Sequence, residues 1–274
     1  VSTHAPGQEP GRGPGRPQSR PSLDVIRAEL NAVLVAAPPD RSADELCVAC
    51  VRLLGVDGAA ISVVHEGASH GTFGSSSPAS RRLDEYQFTF GEGPCLEAVA
   101  KRRPVLVPDL DLPDGQRWPA FTEAVLHDGI RSVFALPIML ASSCVGALDL
   151  VRAGPGPLED DQLAGAALAA ELASLTLLDL FAGPGPDVDA DVAVHGEDGW
   201  GRLAELDRIE VYQATGMLIA QLEVGPAEAL VRLRAHAMAT NQTASQVAAA
   251  IVERRLVLER DAPEPPGARG RSRP

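Results

Sequence analysis

The chain has 274 residues, 45% of them hydrophobic, enough to bury the cores of one large domain and one small one. Its net charge of −13 argues against a general nucleic-acid binder. No apolar run reaches the ~18 residues of a membrane span, and the start of the chain has no apolar signal-peptide stretch. A cytoplasmic address follows, and four cysteines in a chain of this size are then expected as free thiols rather than a disulfide framework.

Residues 1–22 and 261–274 are rich in Pro, Gly and Arg without periodicity and read as disordered tails. The string GRGPGR in the first tail follows no strand and precedes no immediate helix, so it is not a phosphate loop. From residue 23 the pattern mixes helices and strands. Leu23, Ile26, Leu30, Val33 and Leu34 mark a helix capped by Ser22, and a second helix, Ala43 to Leu54, stops at Gly55. Strands are predicted at 59–65, 86–90, 104–108, 132–140 and 143–151, the last two joined as a hairpin through Ala141-Ser142. Helices are predicted at Pro94–Arg102 and Ala120–His127. This alternation implies an α+β domain, residues 23–182, with an antiparallel sheet and flanking helices.

The segment Leu158–Phe181 is a helix with acidic residues in its first turn, as the helix dipole prefers. Leu163, Ala167, Ala170, Leu177 and Phe181 share one of its faces. Small residues there suit either a dimer seam or packing on the domain's own sheet. An acidic linker, 183–199, leads to a final module, 200–260, of three amphipathic helices. The first runs from Arg202 to Leu222 and the second opens with Pro226. The third opens with a capping box formed by Thr243 and Gln246. The negative charge concentrates in residues 23–199, whereas residues 200–260 carry seven basic and seven acidic side chains. Of the folded parts, only this module would not strongly repel an RNA backbone.

Ile209–Val252 resembles the ANTAR domain, the RNA-binding three-helix module of bacterial transcription antiterminators. The resemblance lies in Gln213-Ala214, Gly216-Met217-Leu218, Glu228-Ala229, Leu233-Arg234, Ala237 and Val247-Ala248. Residues 23–181 resemble a GAF domain in FGEGPCLEAV (90–99), PVLVPDL (104–110) and RWPAFTEAVLHDGIRSVFALPI (117–138). The order of the two is that of bacterial GAF–ANTAR regulators. The chain departs from the ANTAR pattern at Thr215, often lysine, at Gln242, often basic, and at Ala244, often a large apolar residue.

The resemblance implies a signal-responsive regulator of transcription antitermination, a homodimer that binds RNA hairpin loops through the final module. An unknown small molecule or an upstream signalling protein would act on the first domain. Gln213, Thr215, Gly216 and Arg234 are the RNA-binding candidates. The Gln213 amide suits a base edge in a hairpin loop, and Arg234 suits a phosphate. Gly216, costly inside a helix, implies close packing of helices or close approach of RNA. Phe90, Cys95, Phe134 and Leu136 are candidates for lining a ligand pocket. Cys95 sits at a helix start, where a thiolate would be stabilised, or is a small pocket-lining residue. Cys47 and Cys50 lie in an apolar helix stripe with no second ligand pair, so no metal is expected. No cofactor and no membrane partner are expected either. The absence of catalytic motifs favours a non-enzyme. Two alternatives remain: a protein-docking module without RNA, and a cysteine-dependent methionine sulfoxide reductase using Cys95 and Cys144.

Overall fold

Prolines in the first turn and left-handed residues just past the last turn bracket many of the helices, so the element order is written locally. The computed structural model describes residues 21–65, 67–181 and 197–259. The first domain runs α1 (Leu23–Ala36), α2 (Ser42–Leu54), β1 (Gly58–His65), β2 (Ala68–Ser75), α3 (Pro78–Phe90), α4 (Pro94–Lys101) and β3 (Val105–Val107). It continues through α5 (Pro119–His127), β4 (Ser132–Leu140), β5 (Ser143–Arg152) and α6 (Asp160–Phe181). A second module follows as α7 (Glu197–Leu222), α8 (Pro226–Ala239) and α9 (Ala244–Val252). The predicted tails fall largely, and the predicted linker mostly, outside the described residues; residues 197–199 of the linker belong to α7.

Among the described residues, five strands pair in the order β2-β1-β5-β4-β3, every neighbour antiparallel. The hairpin between β4 and β5 turns where expected, with Ala141 left-handed at φ 53°. Gly55 ends α2 in the left-handed conformation at φ 59°, which costs glycine nothing. Ser22 stands at the N-cap of α1 but makes no capping hydrogen bond. The Thr243–Gln246 capping box of α9 is present in both directions.

The predicted strand at 86–90 is not a strand. YQFTF is the last part of α3, a helix started by Pro78 and by Ser77, whose hydroxyl accepts from the Ser80 amide. The missing strand is β2, whose sequence ASHGTFGS carries too little apolar alternation to be read. It is recruited by pairing with β1, along a ladder with two register shifts.

Alternation along the strands sends side chains to two cores. Ile61, Val63, Phe134, Leu136, Leu148 and Leu150 face α1, α2 and α6. Val133, Ala135 and Val151 face the other side, with Trp118 and Phe121. Ala170 and Leu177 are buried in the first of these cores together with Ala166, Ala169 and Ala173, so these small residues pack on the domain's own sheet, whereas Ala167 of the predicted face is exposed. Close approach there is what the alanines provide, and Ala170 does not stand on an open dimer seam. A third core joins α7, α8 and α9 through Val211, Ala214, Leu218, Leu233, Val247 and Ile251. One residue of the first domain enters it: Phe88 of α3.

Candidate functional site

The second module rests on α3 and β2. Arg208 of α7, 1% exposed, donates from Nη2 to Oδ2 of Asp84 at 2.5 Å, and Glu85 lies 3.5 Å from the same nitrogen. Asp84 also accepts from the Ser69 and Thr72 hydroxyls of β2. One turn on, the Phe88 ring lies beneath two guanidinium groups, Arg208 at 3.8 Å and Arg234 at 4.3 Å from its centroid. The Thr89 hydroxyl accepts the Ala244 amide at 2.9 Å, satisfying one of the free N–H groups at the start of α9. Ser245 donates to Glu85 at 2.8 Å. Helix α7 is broken at Arg208 (φ −141°, ψ 31°) and packs on β2, while α8 and α9 pack on α3.

This contact is incompletely satisfied. Arg208 Nε and Nη1 and Arg234 Nε are buried without a hydrogen-bond acceptor. An unmade hydrogen bond at a buried donor costs about 1–3 kcal/mol, and more when the group is charged. Burial first, then the neighbouring charge of Arg208, holds Arg234 below the ordinary arginine value. Against these costs stand the burial of the Phe88 ring, worth ~1.5–3 kcal/mol, and cation–π attraction of about 0.5–2 kcal/mol for each arginine.

The structure separates the four RNA-binding candidates. Gln213 and Gly216 lie on an open stripe of α7 with Ile209 and Ala220. A Cβ built on Gly216 would meet nothing within 4 Å, so close helix packing is not what this glycine serves. Thr215 is half-buried, and its hydroxyl donates to the Val211 carbonyl within the helix. Arg234 is neither a free phosphate ligand nor a solvated surface charge, because it stacks on Phe88. The reading from sequence missed Arg208, Asp84, Phe88 and Thr89. Phe88 and Thr89 lie in a segment whose residues predict a strand, and nothing local marks Asp84 or Arg208 as buried partners.

The four pocket candidates do not converge either. Phe134 and Leu136 belong to the core under α1, α2 and α6, whereas Phe90 packs with Trp118 and Phe121, and Cys95 with Val64 and Ala147, on the opposite face. On β4 it is Val133 and Ala135, not Phe134 and Leu136, that face the side of Phe90 and Cys95. On the Cys95 face lies a buried polar cluster instead. Asp149 Oδ2 accepts from Ser62 Oγ at 3.4 Å and from Gln87 Nε2 at 3.3 Å, while its Oδ1 has no partner. Burial, reinforced by the charge of Asp84, pushes the Asp149 carboxyl up to about 8. Gln87 Oε1 accepts the Cys95 amide at 2.8 Å, and the Gln87 side chain fills the space a Cβ on Gly93 (φ 146°) would need.

The Cys95 thiol is fully buried and raised by burial, then by Asp149 and Asp84, so the helix start does not yield a reactive thiolate. Cys47 and Cys50 are free and buried, and burial pushes Cys50 up to about 12. Among the described residues no group of His, Cys, Asp and Glu could hold a metal, and no helix is long and apolar enough to cross a membrane. An open cleft of about 540 Å³ lies at the start of α3, lined by Arg41, Asp44, Ser77, Arg81, Arg82 and Glu85.

Comparison with known proteins matches these two units. The GAF domain model matches residues 38–177 and the ANTAR domain model residues 202–252. No curated protein matches the chain. Among solved structures, it is similar to the GAF domain of a phosphoenolpyruvate-protein phosphotransferase from Coxiella burnetii, at 15% identity and TM-score 0.48, covering 59% of this chain and 95% of that one. The corresponding Acinetobacter domain matches at 14% identity and TM-score 0.46, over 60% of this chain and 97% of that one. A free methionine-R-sulfoxide reductase from Neisseria meningitidis, solved with its substrate, matches at 15% identity and TM-score 0.43, over 56% and 87%. With half of its length in the GAF match and an ANTAR match directly behind it, the chain belongs to the GAF domain family and has the architecture of a GAF–ANTAR regulator.

Proposed function

We propose that this protein is a signal-responsive, non-catalytic regulator of transcription antitermination. The GAF domain receives a small molecule or an upstream signalling protein; the ANTAR domain binds hairpin loops in nascent RNA and keeps a terminator from forming. The observation that carries this reading is the docking of the ANTAR domain on α3, which covers Arg234 while leaving Gln213 and Gly216 open. Output is thereby tied to the positions of α3 and the neighbouring strand β2. Helix α3 also contributes Gln87 to the buried cluster and Arg81, Arg82 and Glu85 to the cleft, so a ligand at either place bears on it. Such a ligand must bind the released state more tightly than the docked one by the free energy it is to supply. The deep burial of Cys95 speaks against the reductase alternative. We also propose a cytoplasmic homodimer, whose seam would have to lie outside the buried face of α6.

Exposed Ile209, Tyr212, Val231 and Met238 on the ANTAR domain favour a second reading, docking of a protein partner. Crosslinking the full chain to cellular RNA and sequencing what is recovered separates the two. The RNA reading expects enrichment of hairpins beside terminators, and binding that weakens as salt rises. Recovery of no hairpin RNA, with salt-insensitive association with a protein, would replace it by the second.

A further inference from the structure

We propose that Arg208 and Arg234 form a clamp for one unstacked RNA base and an adjacent phosphate, and that Phe88 and Asp84 fill this clamp from within the chain. The Phe88 ring stands in place of the base and the Asp84 carboxylate in place of the phosphate. The inference rests on the RNA-binding reading above and names the site where that RNA is held.

Two arginines from different helices of the ANTAR domain gather over a single aromatic ring, and one of them also takes a carboxylate. Guanidinium planes stack on splayed-out bases in the same manner, and the same groups take phosphate oxygens. Asp84 and Phe88 are four residues apart on α3, so anion and ring project from one face about 5–6 Å apart at their roots. The match is imperfect in an informative way. A phenyl ring offers no hydrogen-bond acceptor, and three buried guanidinium nitrogens, Arg208 Nε and Nη1 and Arg234 Nε, are left without one. Phosphate and ribose oxygens beside a stacked base would supply acceptors to those in-plane nitrogens. The clamp is therefore chemically better matched to a nucleotide than to the side chains that occupy it. Helix α3 and RNA then compete for the same two side chains, and the docked state is the RNA-free state.

The full-length wild type, Phe88→Leu, and Phe88→Leu carrying either Arg208→Lys or Arg234→Lys are titrated with a pool of RNA hairpins bearing randomised loops. Amide hydrogen exchange of residues 84–89 is followed in parallel. Thr89→Val provides a second route to opening, since it removes the bond to Ala244 and leaves the aromatic core in place. Opening by either route is expected to tighten binding about ten-fold. Each lysine should lose about ten-fold of affinity while keeping the salt slope, because lysine retains the phosphate charge and lacks the stacking plane. Lysine variants that bind as tightly as their Phe88→Leu parent would overturn the clamp and leave the RNA reading standing. So would wild type that binds RNA tightly while residues 84–89 stay protected. If no variant binds the pool although exchange shows α3 released, the RNA reading itself fails and the clamp with it.

Discussion

Arg208 and Asp84, 124 residues apart in the chain, meet in a buried ion pair that fastens the ANTAR domain to the GAF domain. Such a pair returns little net stability against two hydrophobic groups, but removing one partner strands the other charge. Asp84→Asn is expected to cost about 3–5 kcal/mol in the docked state and to raise amide exchange in α3 and α7. A double-mutant cycle with Arg208→Gln measures the coupling; a value under ~0.5 kcal/mol would show that the pair does not hold the interface.

Asp149 makes stability depend on pH. Its folded value, about 8, lies above the ordinary carboxylate value of 3.8, so the folded state binds the extra proton. The contribution is fully favourable below the unfolded value and is lost as pH rises through the window from 3.8 to about 8. The slope in that window approaches ~1.4 kcal/mol per pH unit. Asp84 and the Cys95 thiol are the titratable groups that face it. Urea unfolding at pH 5 and pH 8 should show wild type losing more stability across this interval than Asp149→Asn. Equal losses would mean that Asp149 is ionised in the fold.

Gly216 occupies a helical position with nothing near its missing side chain. Gly216→Ala should therefore stabilise the ANTAR domain by about 0.5–1 kcal/mol, read as a higher melting temperature. If RNA approaches the backbone at Gly216, the same variant loses affinity while gaining stability. A variant that gains both removes this glycine from the RNA surface.

Gln213 is exposed on the same stripe. In a chain opened by Phe88→Leu, Gln213→Ala should cost ~1–3 kcal/mol of hairpin affinity and relax loop preference if its amide reads a base edge. Uniform weakening across loop sequences would assign it to the backbone instead.

Ala170 lies in the core between α6 and the sheet. Ala170→Glu should bury an unpaired charge and cost more than about 3 kcal/mol, seen as a large fall in the urea midpoint. A folded, stable monomer by light scattering would be the outcome expected of a subunit seam, and would place this face at one.

The chain order of most elements was legible because its signals are local. Pro226 opens α8, Gly55 closes α2, and Thr243 with Gln246 caps α9, each through contacts within a few residues. Two adjoining segments were not legible for a physical reason. YQFTF has strand-like residues but continues a helix begun at Pro78, and ASHGTFGS becomes a strand only because β1 offers it a partner. Face parity was hidden in the same way: Phe134 and Val133 are equally apolar to inspection, and only the positions of the helices decide which core each enters. Arg234 is legible in the sequence as part of the Leu233-Arg234 motif on the helix that Pro226 opens. Its destination under α3 depended on Phe88 and Arg208, which sequence separates by more than a hundred residues and which only the packed fold brings to one ring.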